Sequence, residues 1–134
     1  MYYFAYASNL NRKQMSERCP DSKPLFRATL PHYKLIFTGH SRKWRGATAS
    51  IKPFQDSKVN GAVYEISPAC LRSLDKHEGY PDVYSRINIR VKTGDDEWVE
   101  AVAYIGREQS ERGQPSREYL AVIQQGYKDW RIIV

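Results

Sequence analysis

Residues 2–11 read Tyr-Tyr-Phe-Ala-Tyr-Ala-Ser-Asn-Leu-Asn. The aromatic run Tyr2–Tyr6 has the composition of a short buried strand, because stiff, flat side chains pack well on a pleated surface. It stops at Ala7-Ser8-Asn9, residue types that favour turns. Asn11 is suited to cap a following helix, with Gln14 as its capping-box partner and Leu10 and Met15 placed as a hydrophobic staple. A strand running straight into a helix leaves several backbone N–H groups without carbonyl partners. Such a turn can cradle a carboxylate or a developing oxyanion.

Beyond this opening, strands follow one another with few helices between them. Arg27–Phe37 carries Leu30, Tyr33, Leu35 and Phe37 and is broken by Pro31, the mark of a bent strand. Thr38–Gly46 is polar and basic and reads as a loop. Ala47–Pro53 and Gly61–Ile66 read as two strands joined by a polar loop at Gln55–Asn60. Ser67-Pro68 starts a helix, with serine as N-cap and proline in the first turn, and Gly79 suits the position just past its end. The spacing therefore predicts a helix over Pro68–Glu78. Arg86–Lys92 alternates strictly, placing Ile87, Ile89 and Val91 on one face of a half-buried strand. Gly94-Asp95-Asp96 turns the chain back into Trp98–Ile105. After a polar stretch at Arg107–Gly113, Ser116 can cap a helix in which Tyr119, Leu120, Ile123, Tyr127 and Trp130 follow helical spacing. About six largely consecutive strands with three helices argue for an α+β fold. Short strands with few long crossovers also fit a small, mixed, partly closed β-barrel with flanking helices.

Composition sets the frame for this fold. A chain of 134 residues, 41% hydrophobic and 27% charged, is an ordinary globular length and mixture. No linker-like break or repeat divides it, so residues 1–134 read as one domain. No apolar run approaches the roughly 20 residues needed to span a bilayer, and the opening residues lack the pattern of a secretory leader. Membrane association is not expected, and the expected location is the cytoplasm. Cys19 and Cys70 are too few for a disulfide scaffold and read as free thiols in that compartment. His32, His40 and His77 are scattered and give no support to a metal site. The net charge of +6 is dispersed, with one tight cluster at Arg42-Lys43-Trp44-Arg45. A basic nucleic-acid-binding module built on that cluster is the lesser reading, since dispersed charge is ordinarily a solvated surface.

Glu78 is the most unusual ionisable position. Leu71 and Leu74 mark the inward side of the predicted helix, and residue 78 points the same way. A carboxylate on an apolar face must find a partner or change its pKa. At the C-terminal end it also meets the negative end of the helix dipole. Both effects push its pKa upward, as general acid/base work requires. The same position also suits a carboxylate paired with Arg86, and Asp75 is a rival on roughly the same face.

These stretches together resemble the gamma-glutamylcyclotransferase-like family. Tyr3-Phe4-Ala5-Tyr6-Ala7-Ser8-Asn9-Leu10 is similar to that family's Tyr-Phe-Ala-Tyr-Gly-Ser-Asn-Leu opening. Leu74-Asp75-Lys76-His77-Glu78-Gly79 resembles its Leu-Asp-x-x-Glu-Gly motif, and Tyr84 matches the tyrosine that follows. Gly61-Ala62-Val63-Tyr64, Ala103-Tyr104 and Pro115-Ser116-x-x-Tyr119 resemble further motifs in the same order. The resemblance implies release of 5-oxoproline from a small gamma-glutamyl amine or dipeptide, without metal or cofactor. Glu78 would be the catalytic acid/base. The loop Tyr6, Ala7, Ser8, Asn9 and Leu10, together with Tyr84 and Tyr119, would contact the substrate. One departure stands out, because Ala7 occupies the family's glycine position. A position requiring positive φ would strain alanine there, whereas at negative φ the methyl group only narrows the pocket. A non-catalytic binder of an amino-acid-like ligand is the alternative on the same fold.

Overall fold

The computed structural model describes residues 1–133 of the chain. Five strands form a closed barrel: β1 (Tyr2–Ala5), β2 (Lys23–Ser41), β3 (Gly46–Glu65), β4 (Tyr84–Thr93) and β5 (Trp98–Gly106). Their order around the barrel is β1-β3-β2-β4-β5. Neighbours are antiparallel except β1 and β5, which close the barrel in parallel where Tyr3 meets Val102. Three helices flank it: α1 (Arg12–Arg18), α2 (Pro68–Glu78) and α3 (Arg117–Asp129). No helix among the described residues is long and apolar enough to cross a membrane.

The strand count corrects the expectation of about six. Ala47–Pro53 and the stretch from Gly61 to Glu65 belong to one continuous strand, β3, of 20 residues, which pairs along its length with the 19-residue β2; Ile66 lies just past its end. The pairing jumps from Pro31↔Lys58 to Tyr33↔Pro53, so residues 54–57 bulge opposite His32. His32 has a φ of 65° and its Nδ1 lies 2.9 Å from the Gln55 carbonyl. Phe54, Gln55 and Asp56 are exposed. The tract looks like a loop in sequence because it is a solvated bulge without a buried face. Thr38–Ser41 likewise belongs to β2, so the basic connection to β3 is much shorter than Thr38–Gly46.

Alternation along the strands creates two packed sides. Phe4, Val63, Val91 and Ala103 share one cluster with Tyr119 and Ile123 of α3. Tyr3, Tyr64 and Tyr104 share the other with Met15 of α1 and Leu74 of α2. The helix termini follow local rules. Asn11, Ser67 and Ser116 accept N–H bonds from Gln14, Cys70 and Tyr119 respectively. Gly79, at φ 68°, ends α2 in the left-handed conformation that costs glycine least.

The free-thiol expectation is overturned: Cys19 and Cys70 form a disulfide. Cys19 is the C-cap of α1 and Cys70 lies in the first turn of α2. The 51-residue separation hides this proximity, which arises only when both helices pack on the same side of the barrel.

Helix α3 approaches the Leu10–Asn11 backbone through Gly126. A Cβ there would lie 2.6 Å from Leu10 Cβ and 2.7 Å from the Asn11 nitrogen. Gly126→Ala is expected to destabilise the fold by about 1–3 kcal/mol from overpacking. That net loss would outweigh the gain of about 1 kcal/mol in helix propensity. Urea denaturation measures the difference directly, and an unchanged or higher midpoint would show that the contact relaxes freely.

Candidate active site

The first strand delivers its chain to a three-residue 3-10 turn at Ser8–Leu10 before α1 begins. Four side chains anchor this turn. Asn9 donates to the Tyr3 hydroxyl at 2.9 Å, while its Oδ1 accepts from Gln14 Nε2 at 3.0 Å and from Arg18 Nη1 at 3.1 Å. Tyr64 donates to the Asn9 carbonyl at 2.8 Å. Gln14 also donates to Ser8 Oγ at 2.9 Å, so its side chain braces the turn instead of closing the expected capping box. A turn this short and this braced presents the same backbone groups at every encounter.

Ala7 has a φ of −140°. The alanine is therefore accommodated without a left-handed backbone, and its methyl group occupies space at the cavity wall. Leu10 differs from its neighbours in the expected loop. It is fully buried, its N–H bonds to the Ala7 carbonyl at 3.0 Å, and its carbonyl accepts from Trp130 Nε1 at 2.9 Å. Leu10 holds the turn from beneath and does not reach the cavity.

Tyr6, Ala7, Ser8 and Asn9 line a cavity of about 310 Å³ together with Glu78, Tyr84 and Tyr119. A volume of this order suits a small ligand. Glu78 is the last residue of α2, directly before the left-handed Gly79. Among the described residues its carboxylate has no hydrogen-bond or ion-pair partner. The residue is half-buried and lines the cavity. Burial pushes its pKa up to about 7, against the opposing pull of Arg18 and Lys43.

Asp75 has a different environment. It accepts from the Tyr104 hydroxyl at 2.7 Å and lies 3.6 Å from Arg86 Nε. Arg86 therefore belongs to Asp75, and the two carboxylates of this helix separate into one that is tied and one that is free.

The tyrosines divide in a similar way. Tyr6 donates to the Tyr104 carbonyl at 2.7 Å, and Tyr84 donates to the Ala49 carbonyl at 2.6 Å. The Tyr119 oxygen instead accepts from the Ala49 N–H at 2.8 Å, which leaves its own proton available. Burial raises the pKa of Tyr84 and Tyr119, and the charge of Glu78 adds to the effect, so both stay protonated at neutral pH. Tyr119 is thus an O–H donor at the wall of the cavity.

Several lining residues carry no local signal in the sequence. Arg18 sits in a polar helix, and only its burial against Asn9 sets it apart. Lys43 and Trp44 are visible as part of a basic cluster, but the β2–β3 hairpin brings them to this cavity. Trp44 packs on Tyr119 with ring centroids 5.0 Å apart. His77, beside Glu78, has its pKa lowered by burial and then by Arg18 and Lys43.

Comparison with known proteins places the chain in a family. The profile of the family described as "Gamma-glutamyl cyclotransferase, AIG2-like" matches residues 3–131. A gamma-glutamylcyclotransferase of Bos taurus is 32% identical over 132 residues, covering 95% of this chain and 70% of the bovine protein. A solved gamma-glutamyl cyclotransferase structure superposes with a TM-score of 0.91 at 29% identity, covering 97% of this chain and 79% of that one. An uncharacterized protein of Homo sapiens superposes with a TM-score of 0.90 at 30% identity, covering 96% of this chain and 79% of the human one. A match that runs from the first strand past the last helix covers the turn, the glutamate and the tyrosines alike. The chain belongs to the AIG2-like gamma-glutamyl cyclotransferase family.

Proposed function

We propose that this chain releases 5-oxoproline from a small gamma-glutamyl amine or dipeptide by intramolecular aminolysis, with Glu78 as acid and base. The observation that carries the reading is an unpaired Glu78, its pKa raised to about 7, sharing one cavity with the Ser8–Leu10 turn.

The substrate supplies its own nucleophile. Its α-ammonium gives a proton to the Glu78 carboxylate, and the free amine attacks the γ-carbonyl carbon to close a five-membered ring. The carbonyl π electrons move to oxygen, where backbone N–H groups of the turn and the Tyr119 hydroxyl stabilise the negative charge. As the carbonyl re-forms, Glu78 gives its proton to the leaving nitrogen and the bond to that nitrogen breaks. The carboxylate so regenerated takes the second proton from the positively charged ring nitrogen, which leaves the neutral lactam. It passes that proton to the departing amine, released as an ammonium. One carboxyl group accepts and donates in turn, so a pKa near neutrality serves both steps. Holding the substrate folded on itself supplies a large share of the acceleration, because ring closure needs only orientation. This sequence of steps draws on the side chains present and calls for no metal or cofactor.

The test is a panel of gamma-glutamyl dipeptides and gamma-glutamyl amines assayed chromatographically for 5-oxoproline. Turnover of at least one member is expected. A protein that binds panel members yet forms no product would favour the non-catalytic ligand binder. Tyr119→Phe removes one O–H donor and the acceptor for Ala49 N–H. A fall in kcat/KM of about 10–10²-fold is expected, with most of the loss in kcat. An unchanged kcat would remove Tyr119 from oxyanion stabilisation.

A further inference from the structure

Arg18 is a buried guanidinium with no ion-pair partner among the described residues. It is 9% exposed and lines the same cavity as Glu78. Its hydrogen bond to Asn9 Oδ1 does not explain the charge, because Gln14 already donates to that oxygen. Nor does the turn depend on it alone, since Tyr3 and Tyr64 also hold Asn9. Arginine has five donors in a planar fork that matches a carboxylate. Glu78 shares the cavity and feels the charge of Arg18, yet the two make no ion pair among the described residues. A buried guanidinium without a contacting anion is costly, and its open donor fork suits an anion from outside.

We infer that Arg18 recognises the α-carboxylate of the gamma-glutamyl group. The inference rests on the cyclotransferase reading and names the part of the substrate that the cavity reads. Position favours the α-carboxylate over any charge on the leaving group. The guanidinium is tied to Asn9 in the turn at the end of β1, and the side chain is buried. Lys43, the other cation close enough to act on Glu78, is exposed on the β2–β3 hairpin at the cavity, where it is better placed to meet a charge on the leaving group than the buried α-carboxylate end. The α-carboxylate sits one bond from the carbon that bears the attacking amine. Pinning it at Asn9 sets the amine on the side of the cavity that Glu78 shares. Arg18 is therefore a specificity residue that also orients the nucleophile.

The test uses two substrates with the same neutral leaving group, gamma-glutamyl methylamide and its α-carboxamide counterpart. Native protein is expected to prefer the free acid by about 10²-fold in kcat/KM, the scale of a charge-assisted bidentate contact. Arg18→Gln should bring that ratio towards one through loss on the acid, with Arg18→Lys intermediate. Equal losses on both substrates would mean that Arg18 serves only the architecture of the turn, and no loss on either would remove it from the site. Both results overturn the inference. Calorimetric binding of 5-oxoproline and 5-oxoprolinamide gives a readout independent of turnover. Native protein should bind the acid more tightly, and Arg18→Gln should bind the two alike. If native protein forms no 5-oxoproline but discriminates in this way, the cyclotransferase reading fails and the carboxylate site stands. Failure of native protein to discriminate in binding overturns the site itself.

Discussion

Replacing Glu78 with glutamine is expected to lower 5-oxoproline formation by about 10²–10⁴-fold, the range that general acid–base catalysis contributes. The substitution keeps the side chain's shape and removes the group that would shuttle the proton. In native protein kcat/KM should rise as pH climbs through about 7, where Glu78 becomes ionised and able to accept a proton. Stability should move in the opposite direction. The folded-state pKa lies above the usual 4.5, so the native protein holds this proton more tightly than the unfolded chain does. The stabilising contribution is complete below about pH 4.5 and is lost as pH rises through about 7. Above that range the buried charge costs at most about 3 kcal/mol. Glu78→Gln has no such charge. It should therefore melt several degrees above native protein at pH 8 and close to it at pH 4.5. Calorimetric melting at the two pH values checks this. Parallel pH dependence in both proteins would mean that Glu78 keeps an ordinary pKa.

Opening the Cys19–Cys70 bridge is expected to have the largest effect on stability. The bridge closes a loop over a separation of 51 residues, and the chain-entropy relation gives about 4 kcal/mol for a loop of that size. Both cysteines are buried, with exposures of 1% and 2%, so the paired Cys19→Ala and Cys70→Ala variant also loses sulfur packing. Reduction of native protein isolates the cross-link, because the sulfur atoms stay in place. A fall in Tm on adding reductant to native protein, absent in the double variant, is the expected pattern. No change on reduction would mean that the two helices hold together without the bridge. Ser73 Oγ, which donates to the Arg18 carbonyl at 2.7 Å, is one contact that would remain.

Helix α2 was readable to the residue because its determinants are local. Ser67, Pro68 and Gly79 act on backbone groups within one turn of themselves, and the Leu71–Leu74 face carries Glu78 with it. Strand β4 was readable for the same reason, since its alternation shows within a few residues, and β5 followed from the Gly94-Asp95-Asp96 turn that returns the chain. The long β2–β3 pair was not. Its polar bulge at residues 54–57 satisfies loop rules locally, and only the partner strand across from it shows that the chain continues. Asp75 and Glu78 could not be separated in sequence either, because Tyr104 and Arg86 reach Asp75 from strands elsewhere in the chain.

The sequence by itself determined the helix ends, the alternating strand β4, the inward position of Glu78 and the turn that follows the first strand. All of these rest on interactions between residues a few positions apart. Tertiary structure alone decided that Leu10 supports the turn without lining the cavity. It also decided that Cys19 meets Cys70, that Arg18 lies buried beside Asn9, and that the Lys43 hairpin borders the same cavity. Most of those contacts join segments tens of residues apart, and closure of the barrel brings them together. Arg18 and Asn9 are close in sequence, but the turn between β1 and α1 decides that their side chains meet.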